Sequence, residues 1–301
     1  MKVAVTGATG FIGAELVREL DRRGIAYTVI TRARDRARSK VPSAVDVVEW
    51  GPSGELDPKA LEGLDGIIHM AGAPVAQRWS DAVRSEILES REIPTRGLVD
   101  ALGKTSAPRP GVLVSFSAIG YYGPTGDDEL TESAPPGSDF LAGVCQVWER
   151  EAARAVGYGV RVVNPRVGIV IGKGGGALAR MLVPFRLGAG GPIGNGRQWM
   201  SWVHVSDVAG IAIEALTNTA MNGPVNATAP LPVRNRDFSR ALGRALRRPA
   251  ILPIPVFGLK VLFGEFAEIL ATGQRVVPQA ALDAGYRFRH MDLDEALRSA
   301  I

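Results

Sequence analysis

The chain has 301 residues, with 35 Lys and Arg against 31 Asp and Glu. That length suffices for one large domain, or for a nucleotide-binding domain with a smaller partner. The arginines are scattered, no basic run interleaves with aromatics, and no helix-turn-helix, zinc or RNA-binding signature appears, so nucleic acid is not expected as a partner. The single cysteine, Cys145, excludes an internal disulfide and a multi-cysteine metal site. It fits a reducing compartment, so a cytoplasmic location and no metal are expected.

Residues 2–6 form an apolar run that Thr6 and Gly7 cut short, which reads as a buried first strand and not as a leader. A glycine-rich turn at 7–13 follows, then a helix over 14–23 with Leu16, Val17 and Leu20 at helical spacing. Further strands are predicted at 27–31, 45–49, 66–70, 111–115 and 161–165, an alternation that indicates a parallel sheet. Ser80 or Asp81 would cap a helix carrying Val83, Ile87 and Leu98 on its apolar side, and Pro94 should kink or divide it. Glycine-rich stretches at 172–176 and 188–196 are too irregular for the sheet. Beyond Asn226, helices are predicted at 237–247 and 259–271, separated by a Pro-rich connection at 249–255. No apolar stretch reaches the roughly 18 to 20 residues of a membrane span, so no membrane partner is expected.

The expected architecture is α/β: a Rossmann doubly wound parallel sheet with a smaller C-terminal α+β substrate lobe. Residues 1–173, with 203–230 returning, would form the dinucleotide-binding domain; 174–202 and 231–301 would form the substrate-facing lobe.

Gly7-Ala8-Thr9-Gly10-Phe11-Ile12-Gly13 is a GxxGxxG turn between a predicted strand and a predicted helix. Such glycines let the backbone turn tightly, approach a pyrophosphate and pack helix on sheet, while the helix N-terminus offers free N–H groups. Gly7, Thr9, Gly10, Phe11, Ile12 and Gly13 are therefore candidate cofactor contacts. At the end of the second strand, an acidic residue would bond the ribose 2′-hydroxyl of NAD; here Thr31 and Arg32 stand there, with Arg34 close behind. A guanidinium suits a 2′-phosphate, which makes NADP(H) the expected cofactor.

At this point the sequence resembles the extended and atypical short-chain dehydrogenase/reductases, within them the NAD-dependent epimerase/dehydratase-like epimerase family proteins. His69-Met70-Ala71-Gly72-Ala73, Ser115-Phe116-Ser117-Ala118, Arg166-Val167-Gly168 and Trp202-Val203-His204-Val205-Ser206-Asp207 carry the likeness. In the tail, Asn226-Ala227-Thr228-Ala229-Pro230 and Gly273-Gln274-Arg275-Val276-Val277-Pro278 resemble that subfamily's C-terminal domain. The resemblance implies cofactor contacts from Ala71, Gly72, Ala73, Ser115, Arg166 and Val167. It implies a substrate-orienting role for Ser117, with Tyr121 or Tyr122 on the loop beyond it as a substitute acid, Tyr122 being the candidate taken forward.

The same family moves a proton with a tyrosine whose phenol is made acidic by a lysine four residues later. None of the five tyrosines here has lysine at that spacing, and the corresponding positions hold Cys145 and Glu149. A carboxylate near a thiol pushes its pKa up, the wrong direction for proton transfer at neutral pH.

On the substrate side, Arg180, Arg186, Arg197, Gln198 and Trp199 lie in or beside the glycine-rich segment and suggest an anionic, planar or sugar-like ligand. His204 reads as structural, feeding a helix capped by Ser206, and Glu265 and Glu268 as a solvated face. The expected function is that of an NADP(H)-dependent oxidoreductase or nucleoside-diphosphate-sugar epimerase-like protein acting on a small anionic carbonyl or sugar-type substrate. The alternative is a non-catalytic NADP(H)-binding sensor or scaffold. The helices near 80–102 and 141–155 would either build a homodimer, as in the resembled family, or bury their apolar faces within one chain.

Overall fold

Runs of Val and Ile with both faces covered form the centre of the molecule, as strands of a parallel sheet must. A computed structural model describes residues 1–51, 54–106 and 108–301. Its main sheet contains β1 (Lys2–Thr6), β2 (Ala26–Thr31), β3 (Asp46–Glu49), β4 (Gly66–His69), β5 (Val112–Ser115), β6 (Arg161–Val167) and β7 (Gly223–Ala227). All pair in parallel, in the order β3-β2-β1-β4-β5-β6-β7. The reversal of direction between β1 and β4 is the switch point at which doubly wound sheets open a ligand crevice.

Helices cover both faces: α1 (Phe11–Arg22), α2 (Arg34–Lys40), α3 (Asp81–Lys104), α4 (Phe140–Ala153) and α6 (Val205–Thr217). One apolar cluster joins Leu16 and Leu20 of α1 to Val208, Ile211 and Ala212 of α6 across Val3, Val5 and Ile68. The other joins Leu98 and Leu102 of α3 to Ala152 of α4 across Ala4, Ile67 and Leu113. Ser80 Oγ accepts from Val83 N and caps α3, as expected. Of the kink or division expected at Pro94, the division does not occur: α3 runs unbroken to Lys104. Packing of its apolar face against the sheet outweighs the one hydrogen bond a proline removes.

The second half adds α5 (Gly176–Arg186), α7 (Asn235–Leu246), α8 (Val256–Phe263), α9 (Phe266–Ala271), α10 (Gln279–Asp283) and α11 (Leu293–Ala300). The single helix expected over 259–271 is two, α8 and α9, interrupted at Gly264, whose φ of +59° is left-handed. A separate apolar cluster gathers Ile171, Leu178, Phe185, Trp202, Phe238 and Leu297. The C-terminal segment is strapped to the sheet helices by Asp207, whose buried carboxylate accepts from Arg289 N, His290 N and Tyr286 Oη. Arg289 continues to Glu19 on α1 at 2.6 Å. Hydrogen bonds from Arg22, Arg289 and Arg23 outweigh burial and hold the Glu19 carboxyl well below the usual range.

The switch point is fastened by His69, which has no exposed surface. Its Nε2 lies 3.0 Å from Thr95 Oγ1, and Thr95 Oγ1 donates to the Arg91 carbonyl. Its Nδ1 lies 2.9 Å from Thr6 Oγ1, which itself accepts from Met70 N and Ala71 N. Since the Thr95 proton is committed to a carbonyl, Nε2–H must donate to Thr95 and Nδ1 must accept from Thr6. That order of protons needs a neutral ring, and burial lowers the His69 pKa from 6.5 to about 4.

A folded-state value below the unfolded one means that the unfolded chain binds the proton more readily. The His69 contribution is therefore complete above pH 6.5 and is lost as pH falls through about 4. The urea-unfolding free energy of the wild type relative to His69→Gln is predicted to shrink by on the order of 3 kcal/mol between pH 7 and pH 4. A difference that does not change with pH would contradict a neutral buried imidazole.

Candidate functional site

The turn after β1 has the shape its glycines imply. Gly7 has φ +71°, and a Cβ there would stand 3.2 Å from the Met70 backbone. At Gly13 a Cβ would stand 2.2 Å from the Gly7 carbonyl oxygen, so helix and turn touch where no side chain fits. The helix begins at Phe11, earlier than the sequence pattern indicates, which places Phe11, Ile12 and Gly13 in its first turn. No side chain caps this end and no acidic residue occupies the first turn, so its N–H groups and partial positive charge are available to an anion.

The Phe11 ring underlies Gly172, Gly175 and Gly176; a Cβ on Gly175 would reach within 2.4 Å of it. The first glycine-rich segment is thus folded down onto the dinucleotide turn. Arg32 lies just past β2 and Arg34 opens α2; both are exposed, and neither makes an ion pair among the described residues. Ala71, Gly72 and Ala73 continue from β4 along the other side of the crevice. Thr9 is half-buried in the turn, Thr31 ends β2 with its Oγ1 accepting from Ala33 N, and Val167 ends β6.

Beyond β5, Ser117 and Ala118 pair with Arg166 and Val167 of β6. Asp139 caps α4 by accepting from Ala142 N, and the helical spacing of Cys145 and Glu149 turns both toward this strand end. Ser117 Oγ donates to Glu149 Oε1 at 2.6 Å, and Arg166 spans the same carboxylate through Nε and Nη2, each at 2.8 Å. Arg166 also donates to Tyr122 Oη at 2.9 Å and lies 3.4 Å from the Tyr121 ring centroid. Burial opposes the Arg166 charge, but the Glu149 hydrogen bonds and charge more than compensate and raise its pKa.

Three candidates from the sequence are buried here. Tyr122 is almost wholly buried, and its hydroxyl donates to Asn226 Oδ1 at 2.7 Å while accepting from Arg166. Burial, against the pull of Arg166, pushes its pKa up to about 12, so Tyr122 is a strut under the strand end and not an acid facing a ligand. Arg166 is buried and committed to Glu149. Ser115 is likewise fully buried, and its Oγ has no hydrogen-bond partner among the described residues. Burial and then Glu149 push the Cys145 thiol up to about 11, the direction expected from the sequence.

Arg91 on α3 is the functional candidate that motif reading misses. Its guanidinium donates to the Ala73, Ile87 and Ser90 oxygens, lies beneath Gly72 and stacks 5.0 Å from the Trp148 ring centroid. No carboxylate pairs with it among the described residues, and burial lowers its pKa. Only a signal in three dimensions identifies it: a cation on the sheet-facing side of a helix with no acid at i±4.

The proposed substrate residues divide. Arg180 crosses to the Ala76 carbonyl above the crevice. Trp199 has its faces occupied by Arg234 at 3.9 Å and Arg275 at 5.2 Å, Gln198 is tied to the Ile193 and Leu270 carbonyls, and Arg186 and Arg197 are exposed. An unforeseen group stands at the mouth instead: Trp79 against Phe140 and Phe266, with Arg84 4.9 Å from the Phe140 ring centroid. Arg84 also pairs with Glu265, and Glu268 pairs with Lys260 on the exposed face expected for both glutamates. His204 is structural, but it caps α6 itself by accepting from Ser206 N, in place of the Ser206 cap expected.

Residues 3–227 match the NAD dependent epimerase/dehydratase family, and residues 254–300 match a domain of unknown function, DUF1731. The chain belongs to the NAD dependent epimerase/dehydratase family. It is 41% identical to the chloroplastic SDR39U1 homolog of Arabidopsis thaliana, over 99% of this chain and 86% of that protein. It is 36% identical to the epimerase family protein YfhF of Bacillus subtilis, over 100% and 98% of the two chains. The crystal structure of human SDR39U1 with NADPH superposes with a TM-score of 0.90 at 34% identity, covering 100% of this chain and 99% of that one.

Breaking the Glu149–Arg166 pair leaves one buried charge without its partner. Arg166→Met and Glu149→Gln are each predicted to destabilise the fold by about 3 kcal/mol in urea unfolding, and the double variant by less than their sum. Additive losses would contradict direct pairing.

Proposed function

We propose that the chain binds NADP(H) at the β1–α1 turn and acts as an oxidoreductase or epimerase-like enzyme on a small anionic carbonyl or sugar-type substrate. The observation that carries the cofactor assignment is the pairing of an uncapped helix N-terminus behind three close-packed glycines with two unpaired arginines beyond β2. The residues fit the group: N–H donors of α1 for the pyrophosphate, and Arg32 and Arg34 for a 2′-phosphate. NADPH in the human relative supports the same reading. When bound, the cofactor supplies or accepts hydride.

The chain's own residues supply orientation. Ser117, set at the strand end by the Glu149–Arg166 pair, turns its hydroxyl proton from Glu149 to the reacting oxygen of the substrate. Arg91, between the 71–73 segment and Trp148, offers an uncompensated positive charge to an anionic group in the crevice. The cation that the family places on α4 is thereby supplied from α3. The assignment of residues 1–173 and 203–230 to cofactor, and of 174–202 and 231–301 to substrate, belongs to this reading, as do a cytoplasmic location and homodimer formation.

A non-catalytic NADP(H) sensor or scaffold is the second reading. The observation favouring it is that Tyr122 and Cys145 are pushed to about 12 and about 11, away from the range in which a group exchanges protons at neutral pH.

Calorimetric titration is predicted to favour NADPH over NADH by at least about tenfold, or 1.4 kcal/mol, with Arg32→Ala losing that margin. Equal affinities would refute the 2′-phosphate assignment. In single-turnover NADPH oxidation with a panel of anionic carbonyls and nucleotide sugars, Ser117→Ala is predicted to slow the reaction by roughly two orders of magnitude. Tight binding with no turnover by the wild type would select the sensor reading.

A further inference from the structure

An open depression lies away from the dinucleotide turn. It has a volume of about 520 Å³ and is lined by Arg236, Arg240, Arg244, Arg247, Arg248 and Ile251, among others. Arg236, Arg240 and Arg244 recur every fourth residue and so form one stripe along α7. Arg247 ends that helix in the left-handed conformation, with φ +53°, and Arg248 follows it. Asp237 lies 3.8 Å from Arg236 and 3.6 Å from Arg240, and Asp294 pairs with Arg244 at 2.8 Å. Arg247 and Arg248 have no acidic partner among the described residues, so the surface keeps a positive excess.

Large apolar side chains adjoin this row. The Arg248 Nε donates to the Arg186 carbonyl, which brings Leu187, 79% exposed, beside the cluster. The connection after α7 is pinned through its backbone, Ile254 N to the Pro192 carbonyl and Gly194 N to the Ile254 carbonyl. Its side chains Ile251 and Leu252 nonetheless stand 79% and 67% exposed. The chain continues into α8, which has no buried residue and shows Phe257 at 78% exposure.

We propose that this surface docks on an anionic lipid bilayer, with the arginine row against phosphate headgroups and Leu187, Ile251 and Leu252 entering the interface. Charge complementarity selects this occupant. A second copy meeting the same face about a two-fold axis would set arginines against arginines, and aliphatic side chains offer nothing to the phosphates of a nucleic acid. Basic residues beside exposed apolar ones suit a headgroup layer, which meets both. Among the described residues no helix is long and apolar enough to cross a membrane, which is consistent with a peripheral mode.

The test is flotation of the full chain with vesicles of phosphatidylcholine alone, and with vesicles containing equal parts phosphatidylglycerol. The expected result is flotation with the anionic vesicles only, weakening as salt is raised. The double variant Arg240→Glu, Arg247→Glu should bind at least about 25-fold more weakly, at roughly fivefold per arginine. Ile251→Ser with Leu252→Ser should also lose binding, both variants keeping the wild-type melting temperature and NADPH titration. Failure of the wild type to float overturns the proposal. So does charge-variant loss with no effect of the serine variant, which would indicate a plain anion site, or a concentration-dependent dimer that the serine variant abolishes without any flotation.

Discussion

His69 can join three chain segments at once only while its ring carries a single proton. With Nε2–H directed at Thr95 and Nδ1 accepting from Thr6, the imidazole joins the end of β1, the start of the 70–73 segment and the middle of α3. Those pieces form the walls of the crevice at the β1/β4 switch point. Gly7 packs so tightly that a Cβ there would stand 3.2 Å from the Met70 backbone, which Thr6 holds in place through Met70 N and Ala71 N. Arg91 can reach beneath Gly72 because its own carbonyl is anchored through Thr95. Protonating the ring would set a second N–H against the Thr6 hydroxyl, whose two lone pairs already accept from Met70 N and Ala71 N, inside a space closed to water.

The second organising feature is a buried charge pair, Glu149 with Arg166. Glu149 is a carboxylate turned toward the β5 strand end, where it would be costly without a counter-ion. Arg166 provides one from β6, and the pair takes up the Ser117 hydroxyl, the Tyr121 ring face and the Tyr122 phenol as supports. The charge at Glu149 therefore fixes the placement of four neighbours. The positive charge left in the crevice comes from α3, where Arg91 lies against neutral carbonyls and the Trp148 ring.

Much of this was legible in the sequence, for local reasons. Unbroken Val/Ile runs can only be strands covered on both faces, so β1 to β6 emerge within one or two residues of their observed ends, and the glycine turn declares itself by its spacing. Elements that depend on long-range packing do not. Pro94 argues for a broken helix until the sheet beneath α3 is considered, and Gly264 does not announce which helix end it makes. Arg166 looks like a cofactor ligand from its motif, and only the position of Glu149 across the sheet reveals its commitment. The aromatic group of Trp79, Phe140 and Phe266 joins three distant segments and has no sequence signature.

The account rests on the claim that the crevice between the β1–α1 turn and the 71–73 segment receives NADP(H). A crystal structure of this chain grown with NADPH tests it most directly. The account predicts the pyrophosphate on the N–H groups of Phe11 and Ile12, the 2′-phosphate between Arg32 and Arg34, and the nicotinamide side approaching Arg91 and Ser117. A nucleotide bound elsewhere, or one whose 2′-phosphate meets neither arginine, would contradict it.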